Sequence, residues 1–416
     1  MTTKVSKFRL AFSRALTAHS AVRFRNLPTR QNTLQALALM AASIPIAVVV
    51  LSVIAVRSVF RRKLRVMVLA VDGEFAAFVS LMECLRHDVE KGERFDYVLV
   101  LSKWRHHTLH DLYSEQIGST ILWSGGWSGL KQQALMLQPG CFVERIERAN
   151  WSHFLRNFSY AKSAVPVSKS LINLRTSLLT GLGLKDEEYV LMTVYTTAYE
   201  EERNPRFRDS VRFLETVGEE MVSGIDYLVN NRVGVILLGS PDTGKSMIPR
   251  AVPRLTDFGV LGGSEEVALA SGCKYFWTDN VGAWWLSAPF HRPVLHTNFH
   301  HKTSRKPTLG RDLFVPRRYQ TLDGRFLTLR EMLYMEGSPY KAALRGELLV
   351  IRNSPEEVVE AQQEMLARVN DEWHETDDMR HRREYVERMY DEYVNADLHP
   401  LRMPAKFLER HEYLLS

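Results

Sequence analysis

Short apolar runs rich in β-branched residues alternate with helical stretches along most of the chain, and this alternation constrains the fold more than any other feature. The first run, Leu64–Val71, is interrupted by a single polar residue, which is typical of a parallel strand covered on both faces. A helical stretch begins at Phe75, and strands are predicted after it at Tyr97–Leu101, Thr120–Trp123 and Cys141–Val143. This succession predicts an α/β fold of the doubly wound kind.

Residues 163–188 interrupt the alternation, because they lack its rhythm and contain Pro166 and two glycines. We therefore place a domain boundary in this stretch. The α/β segments on either side are of similar size and predict two Rossmann-like lobes, the first at residues 64–185 and the second at residues 186–370. The strands predicted in the second lobe are Tyr189–Val194, Val233–Leu238, Tyr275–Thr278, Pro293–Thr297 and Leu348–Arg352.

The helices predicted in the second lobe are Asp209–Asn231, Ser264–Ser271, Gly282–Ala288 and one that starts after Ser354. At that last start, Ser354 is the N-cap, Pro355 occupies the first turn and Glu357 closes a capping box. Residues 371–416 are highly charged, but apolar residues recur there at helical spacing: Val386, Met389, Tyr390, Tyr393 and Val394. We expect residues 371–416 to form helices that pack back on the first lobe.

The segment Leu34–Val56 contains 23 residues and no charge. At about 1.5 Å of rise per residue it can cross a hydrocarbon core of about 30 Å, so it predicts a transmembrane helix. A buried core helix is the alternative. Pro45 lies in the middle of the segment, where it either kinks the helix or marks a hairpin that enters and leaves on one side of the membrane.

Much of the net charge of +6 lies beside this segment. Residues 1–33 form a basic tail, and the other flank carries Arg57, Arg61, Arg62, Lys63 and Arg65, so charge does not set the orientation. These charges indicate contact with anionic lipid before nucleic acid, because they lie in the two segments that flank the apolar span. The three widely spaced cysteines indicate a reducing compartment, so we expect a single-pass or monotopic membrane protein whose soluble part is on the cytoplasmic face.

The octapeptide Gly239–Ser246 matches the P-loop pattern and follows a predicted strand. A P-loop needs a helix that begins within the motif and points its first N–H groups at the phosphates. Pro249 is compatible with the first turn of such a helix, but Pro253 would break the second turn. A surface loop with Lys245 near a bound phosphate is therefore favoured over a P-loop NTPase or kinase, which stays open as an alternative.

Two further segments are candidates for anion binding. The loop after the strand Tyr275–Thr278 contains Asp279, Asn280 and Gly282, which allow backbone N–H groups to face an anion; an ordinary helix cap is the alternative. Residues 300–318 hold six cations and one acid, which indicates either a diphosphate clamp or a solvated basic surface. The six cations are Lys302, Arg305, Lys306, Arg311, Arg317 and Arg318.

Acid–base chemistry is assigned to Asp72 and Glu74, which end the first predicted strand; capping of the next helix is the alternative. No metal site is expected. The four histidines between residues 291 and 301 match no ligand spacing, and no D-x-D motif is present. Helix dipoles and cations must therefore stabilise any diphosphate that is bound or released here.

The stretch Tyr275–Asn298 resembles the donor-site region of a family of bacterial glycosyltransferases with a GT-B-like fold. The resemblance extends from about Tyr189 to the end of the chain, while the first half is similar only in pattern. The turn Asp279–Val281 departs from the small hydroxyl residues that the family favours, which removes hydroxyl contacts to phosphate. Other similar segments are Arg203–Asp209, Val233–Gly239, Asp312–Pro316, Leu327–Met332, Asn353–Glu357, Phe407–Arg410 and Leu414–Leu415.

The resemblance implies transfer of a sugar from a nucleotide-sugar. Together with the apolar segment Leu34–Val56 and the lack of a metal-ligand pattern, it leads us to expect a membrane-anchored, metal-independent glycosyltransferase without a cofactor. Its first lobe would bind a cell-surface or lipid-linked glycan acceptor, and its second lobe would bind a nucleotide-sugar donor. A non-catalytic membrane-tethered scaffold is a further alternative, which the departure at Asp279–Val281 supports. The residues assigned to donor binding are Gly239, Lys245, Thr278, Asp279, Asn280, Gly282, Arg292 and Arg311.

Overall fold

The computed structural model describes residues 66–70, 75–95, 97–101, 106–124, 141–144, 163–194, 218–238, 252–255, 263–279, 282–299, 311–335, 339–394 and 402–416. Within these ranges the protein is of mixed α/β class and contains two separate parallel sheets, which confirms the predicted class. The chain divides into two compact units. The first comprises residues 1–74, 92–105 and 117–146, and the second comprises residues 75–91, 106–116 and 147–416.

The sheet of the first unit has four strands in the order β3-β2-β1-β4. They are β1 Val66–Ala70, β2 Tyr97–Leu101, β3 Thr120–Ser124 and β4 Cys141–Glu144. All pairs are parallel, as the nearly continuous apolar runs predict. The direction in which successive strands are added reverses between β1 and β4, as in the central strands of a Rossmann fold.

The sheet of the second unit has five parallel strands in the order β6-β5-β7-β8-β9. Its order is that of a flavodoxin-like doubly wound sheet, with the reversal between β5 and β7. These strands are nearly fully buried, which explains their apolar composition. They are β5 Tyr189–Thr193, β6 Gly234–Leu238, β7 Phe276–Thr278, β8 Val294–Phe299 and β9 Leu313–Pro316.

A small antiparallel sheet of β10 Arg318–Thr321 and β11 Leu348–Ile351 follows in the second unit. Residues 300–318 are therefore not one basic loop, because their described part contains the buried strand β9. That strand was missed, since its four apolar residues lie between arginines. The described helices are α1 Phe75–Glu90, α2 His107–Ile117, α3 Lys169–Gly181, α4 Glu219–Asn230, α5 Ser264–Gly272, α6 Leu329–Tyr334, α7 Pro339–Leu344, α8 Pro355–Val369, α9 Asp377–Val394 and α10 Ala405–Arg410.

Helix α3 occupies the stretch in which the sequence lost its rhythm. Ser168 caps it by accepting a hydrogen bond from the Leu171 N–H. Its buried face consists of Leu171, Arg175 and Leu179. An apolar stripe of two leucines around an arginine is too narrow to reveal a helix, so the sequence did not predict one. Arg175 is satisfied by Asp186, whose carboxylate oxygens lie 2.7 and 2.6 Å from its Nε and Nη2.

Helices α4 and α8 pack against each other beside the second sheet. They approach closely at Gly224 in α4, where an added Cβ would lie 2.6 Å from Trp277 and 2.9 Å from Val358. The start of α8 is as predicted, because Ser354 and Glu357 form a capping box and Pro355 is in the first turn. Both helices begin near the carboxyl end of β8, where Glu220 and Asn353 hydrogen-bond Asn298.

The carboxyl-terminal helices also belong to the second unit. Val386, Met389 and Tyr390 of α9 are buried, which confirms the predicted amphipathic helix. Helix α9 contacts α6 and α10, and α10 contacts α8. The return of these helices to the first lobe stays a prediction.

The apolar segment Leu34–Val56 lies outside the described residues. Among the helices that the structure does describe, none combines the length and apolar character needed to span a bilayer. The transmembrane helix therefore stays a prediction from the sequence.

Candidate functional site

The carboxyl edge of the second sheet is the natural place for a ligand, because open parallel sheets bind ligands beyond the strand ends where the order reverses. The reversal lies between β5 and β7. Thr193 ends β5 and Thr278 ends β7, and the Thr193 hydroxyl donates a hydrogen bond of 2.9 Å to the Thr278 hydroxyl. Of the residues assigned to donor binding, Thr278 therefore lies at the reversal point.

Two buried charged residues lie at the same edge. Asp279 directly follows β7 and Arg317 directly follows β9, and their exposed fractions are 0% and 1%. Burial lowers the pKa of Arg317 to about 10, although the charges of Asp279, Tyr319 and Glu220 act in the opposite direction. The guanidinium therefore stays charged at neutral pH, and Asp279 is among the groups that compensate its charge.

Asn298 and Asn353 form a buried pair that we call the asparagine clasp. The Asn298 N–H donates to Asn353 Oδ1 at 2.5 Å, and the Asn353 N–H donates to Asn298 Oδ1 at 2.9 Å. Asn353 Nδ2 donates to the carbonyl of Pro316 at 2.9 Å, and Arg317 Nε donates to the carbonyl of Asn298 at 2.9 Å. The clasp thus joins the ends of β8 and β9 to the residue before the cap of α8.

The start of α4 joins the same network through Glu220. Its Oε1 accepts hydrogen bonds from Asn298 Nδ2, at 3.4 Å, and from Arg352 Nη2. Gly218 precedes this helix, and an added Cβ there would lie 2.8 Å from Arg352 Nη2. The Arg352 side chain is 35% exposed, whereas that of Glu220 is 8% exposed. Arg352 therefore offers a cation at this edge that solvent reaches.

The start of α8 is also fixed by an interaction between Glu357, in its first turn, and His411. His411 Nε2 lies 2.5 Å from Glu357 Oε1, and Arg318 Nη2 lies 3.5 Å from the same oxygen. Burial raises the pKa of Glu357, but the His411 bond, the Ser354 N–H and the Arg318 charge outweigh it, so the pKa lies below its usual value. The carboxylate is therefore ionised and fixes the capping box.

The segment at Gly282 is not the α-helix that the sequence predicts. It forms two 3₁₀ helices, Gly282–Leu286 and Ala288–Phe290. Trp284 and Trp285 are stacked with ring centroids 4.3 Å apart and are buried, and this segment packs against α1. Such short 3₁₀ helices carry little macrodipole, so Gly282 does not provide a helix terminus for a diphosphate.

Arg292 and Arg311 lie at the opposite edge of the second sheet, because they precede β8 and β9. Arg292 Nη1 is 2.8 Å from Glu187 Oε1, and its Nε donates to the Ser271 carbonyl. Arg311 pairs with Asp371 at 3.3 Å in an exposed ion pair. The structure therefore does not bring these two arginines to Thr278.

Five of the assigned residues, Asp72, Glu74, Gly239, Lys245 and Asn280, lie outside the described residues. Their chain positions remain informative. Asp72 follows β1, and the strand order of the first sheet reverses between β1 and its neighbour β4. Gly239 follows β6, and Asn280 follows Asp279. Among the described residues, no group of three His, Cys, Asp or Glu side chains is suited to hold a metal ion.

Sequence reasoning did not assign Glu220, Asn298 or Asn353 to the site. In the sequence, the only signal for the two asparagines is that they lie at the ends of segments that carry the family resemblance, Tyr275–Asn298 and Asn353–Glu357. Other residues of those segments also make structural hydrogen bonds: Asp312 accepts from the Val294 N–H at 2.8 Å, and Thr328 caps α6. The hydrogen bonds of Asp312 and Thr328 therefore stabilise the second unit.

Comparisons with known proteins add little. No family model and no curated protein matches the chain. Among solved structures, a glycosyl transferase family 9 protein from Veillonella parvula DSM 2008 is similar, with 11% identity and a TM-score of 0.38 over 56% of this chain and 79% of that chain. Likeness at this level carries no weight for activity, so function has to be inferred from the site.

Proposed function

We propose that this protein is a glycosyltransferase that binds a nucleotide-sugar at the carboxyl edge of the second sheet. The observation that carries the proposal is the reversal of strand order between β5 and β7, where Thr193 and Thr278 meet. Doubly wound sheets bind nucleotides beyond such reversals. The presence of two parallel sheets in one chain supports the GT-B-type resemblance of the sequence.

The charges near this edge suit a diphosphate. Arg352 is accessible to solvent, and residues 300–310 follow β8 directly with three cations and no acid. Cations that stabilise the negative charge of a departing nucleoside diphosphate lower the barrier to sugar transfer. We therefore propose that transfer needs no metal ion.

The acceptor is proposed to be a cell-surface or lipid-linked glycan bound by the first lobe. The acceptor hydroxyl attacks the anomeric carbon, the bond to the diphosphate oxygen breaks, and Asp72 or Glu74 accepts the hydroxyl proton. Their position after β1, beside the reversal of the first sheet, supports this role. Leu34–Val56 would hold the enzyme at the membrane, with its soluble part on the cytoplasmic face.

The direct test is equilibrium binding of uridine, guanosine, adenosine and cytidine diphosphates to the full chain in detergent. One of them should bind, equally well with EDTA and with Mg²⁺, and the matching nucleotide-sugar should be hydrolysed slowly. If none of the four binds, the proposal is wrong. If ATP is hydrolysed and Lys245→Ala abolishes that activity, the P-loop alternative replaces it.

A matched pair of variants locates the binding site. Arg352→Ala and Arg345→Ala each remove one arginine that is paired with a carboxylate, but Arg345 pairs with the exposed Glu347 in the turn before β11. Arg352→Ala should weaken diphosphate binding about tenfold, roughly 1.4 kcal/mol. Arg345→Ala should leave it unchanged. Equal effects of the two variants would place the nucleotide elsewhere.

The membrane arrangement is tested separately by protease treatment of intact cells and of inverted membrane vesicles. A tag at Ser416 should be cleaved only in the inverted vesicles. Cleavage in intact cells would put the soluble part outside, and recovery of the full chain in the fraction that does not sediment with membranes would contradict the anchor.

A further inference from the structure

The asparagine clasp is a buried polar cluster for which the proposed function gives no role. Asn298 and Asn353 are 0% and 3% exposed, and each satisfies the backbone N–H of the other. Such reciprocal bonds fix two backbone positions relative to each other. A fully satisfied, buried polar pair of this kind specifies one geometry.

Asn298 also sets the direction of the chain. It has a φ of 49°, in the left-handed region that asparagine tolerates better than most residues. Phe299 follows it, and the cationic residues 300–310 begin directly afterwards. The left-handed conformation of Asn298 therefore fixes the direction of the backbone at the carboxyl end of β8.

Asn353 has the corresponding effect on Arg352, its neighbour in the chain. The Asn353 side chain is tied to Asn298 and to the Pro316 carbonyl, so its backbone cannot shift without breaking these bonds. Arg352 Nη2 is held by Glu220, which also accepts from Asn298 Nδ2. One carboxylate thus links the clasp to the accessible guanidinium.

We propose that Asn298 and Asn353 are positioning residues that align Arg352, the accessible diphosphate-binding cation of the nucleotide-sugar site. The proposal rests on the proposed function. The asparagines act through Arg352, and they do not touch the substrate. They should therefore matter for recognition of the diphosphate and not for recognition of the nucleoside.

The experiment compares two ligands, the nucleoside diphosphate that the protein binds best and the corresponding nucleoside. Asn298→Gly removes the side chain but keeps a residue that adopts a positive φ without strain. Asn353→Ala breaks the other half of the clasp. Asn370→Ala is the control, because Asn370 lies at the far end of α8, where its side chain accepts a bond from Lys274 at 2.8 Å.

In both clasp variants we expect about tenfold weaker binding of the diphosphate, with nucleoside binding unchanged. The control should bind both ligands as the unmodified protein does. The KM for the nucleotide-sugar should rise in parallel, while kcat changes less. Circular dichroism and the urea midpoint establish that each variant is folded, and if one variant fails to fold the other decides.

Equal loss of nucleoside and diphosphate binding would overturn the proposal, because a merely structural defect acts on both ligands. An unchanged preference for the diphosphate would overturn it as well. If the unmodified protein binds no nucleoside diphosphate, the proposed function fails and the positioning role fails with it. If it binds one and the clasp variants keep the full preference, only the positioning role fails.

Discussion

Gly224→Ala tests the contact between α4 and the second sheet, on which the geometry of the carboxyl edge depends. The added Cβ would lie 2.6 Å from Trp277 Cη2 and 2.9 Å from Val358 Cγ1, closer than carbon atoms approach in folded proteins. Trp277 and Val358 are both fully buried. Trp277 Nε1 also donates a hydrogen bond of 3.0 Å to Thr297, so the indole cannot retreat without losing it.

Two opposing effects determine how much Gly224→Ala changes the free energy of unfolding. Alanine is favoured over glycine inside a helix by about 1 kcal/mol. Overpacking of a buried site costs about 1–3 kcal/mol, and the contacts at Gly224 place it near the upper end of that range. The net effect of Gly224→Ala should therefore be a loss of about 1–2 kcal/mol in the free energy of unfolding.

The assay is urea unfolding of the full chain in detergent, followed by tryptophan fluorescence. Gly181→Ala is the control, because a Cβ at Gly181, the last residue of α3, meets nothing within 4 Å. That variant should be as stable as the unmodified protein or more stable by about 0.5 kcal/mol. If Gly224→Ala is as stable as Gly181→Ala, the close packing of α4 on Trp277 is wrong.

Two further predictions concern the capping boxes. Ser354→Ala should lower the free energy of unfolding by about 1 kcal/mol in the same urea assay, because the N–H of Glu357 loses its acceptor; an unchanged midpoint would contradict that cap. The hydrogen bond from Arg325, and then the one from the Thr328 N–H, lower the pKa of Glu331 below its usual 4.5. The ionised carboxylate therefore stabilises the protein above pH 4.5, and this stabilisation is lost as the pH falls through the lowered pKa. Glu331→Gln should therefore have a lower urea midpoint than the unmodified protein at pH 7, and this difference should narrow as the pH falls below 4.5. A difference that does not narrow in acid would refute the role of the charge.

The sequence by itself determined the elements whose signals are local. Continuous apolar runs such as Tyr97–Leu101 are strands, because residues buried on both faces of a sheet must be apolar along their whole length. Ser354 and Glu357 marked a helix start, because both partners of a capping box lie within one turn of chain. The α/β class and the repeated pattern of the two sheets followed from these local signals.

Only the tertiary structure decided which groups meet. Asn298 and Asn353 are 55 positions apart, and Thr193 and Thr278 are 85 apart, so no local pattern connects them. Arg317 reads as a surface cation in a basic stretch, but the pairing of β8 with β9 buries it. Periodicity shows which face of an element is buried, whereas strand order and helix packing determine what that face is buried against, and the candidate site is built from those long-range contacts.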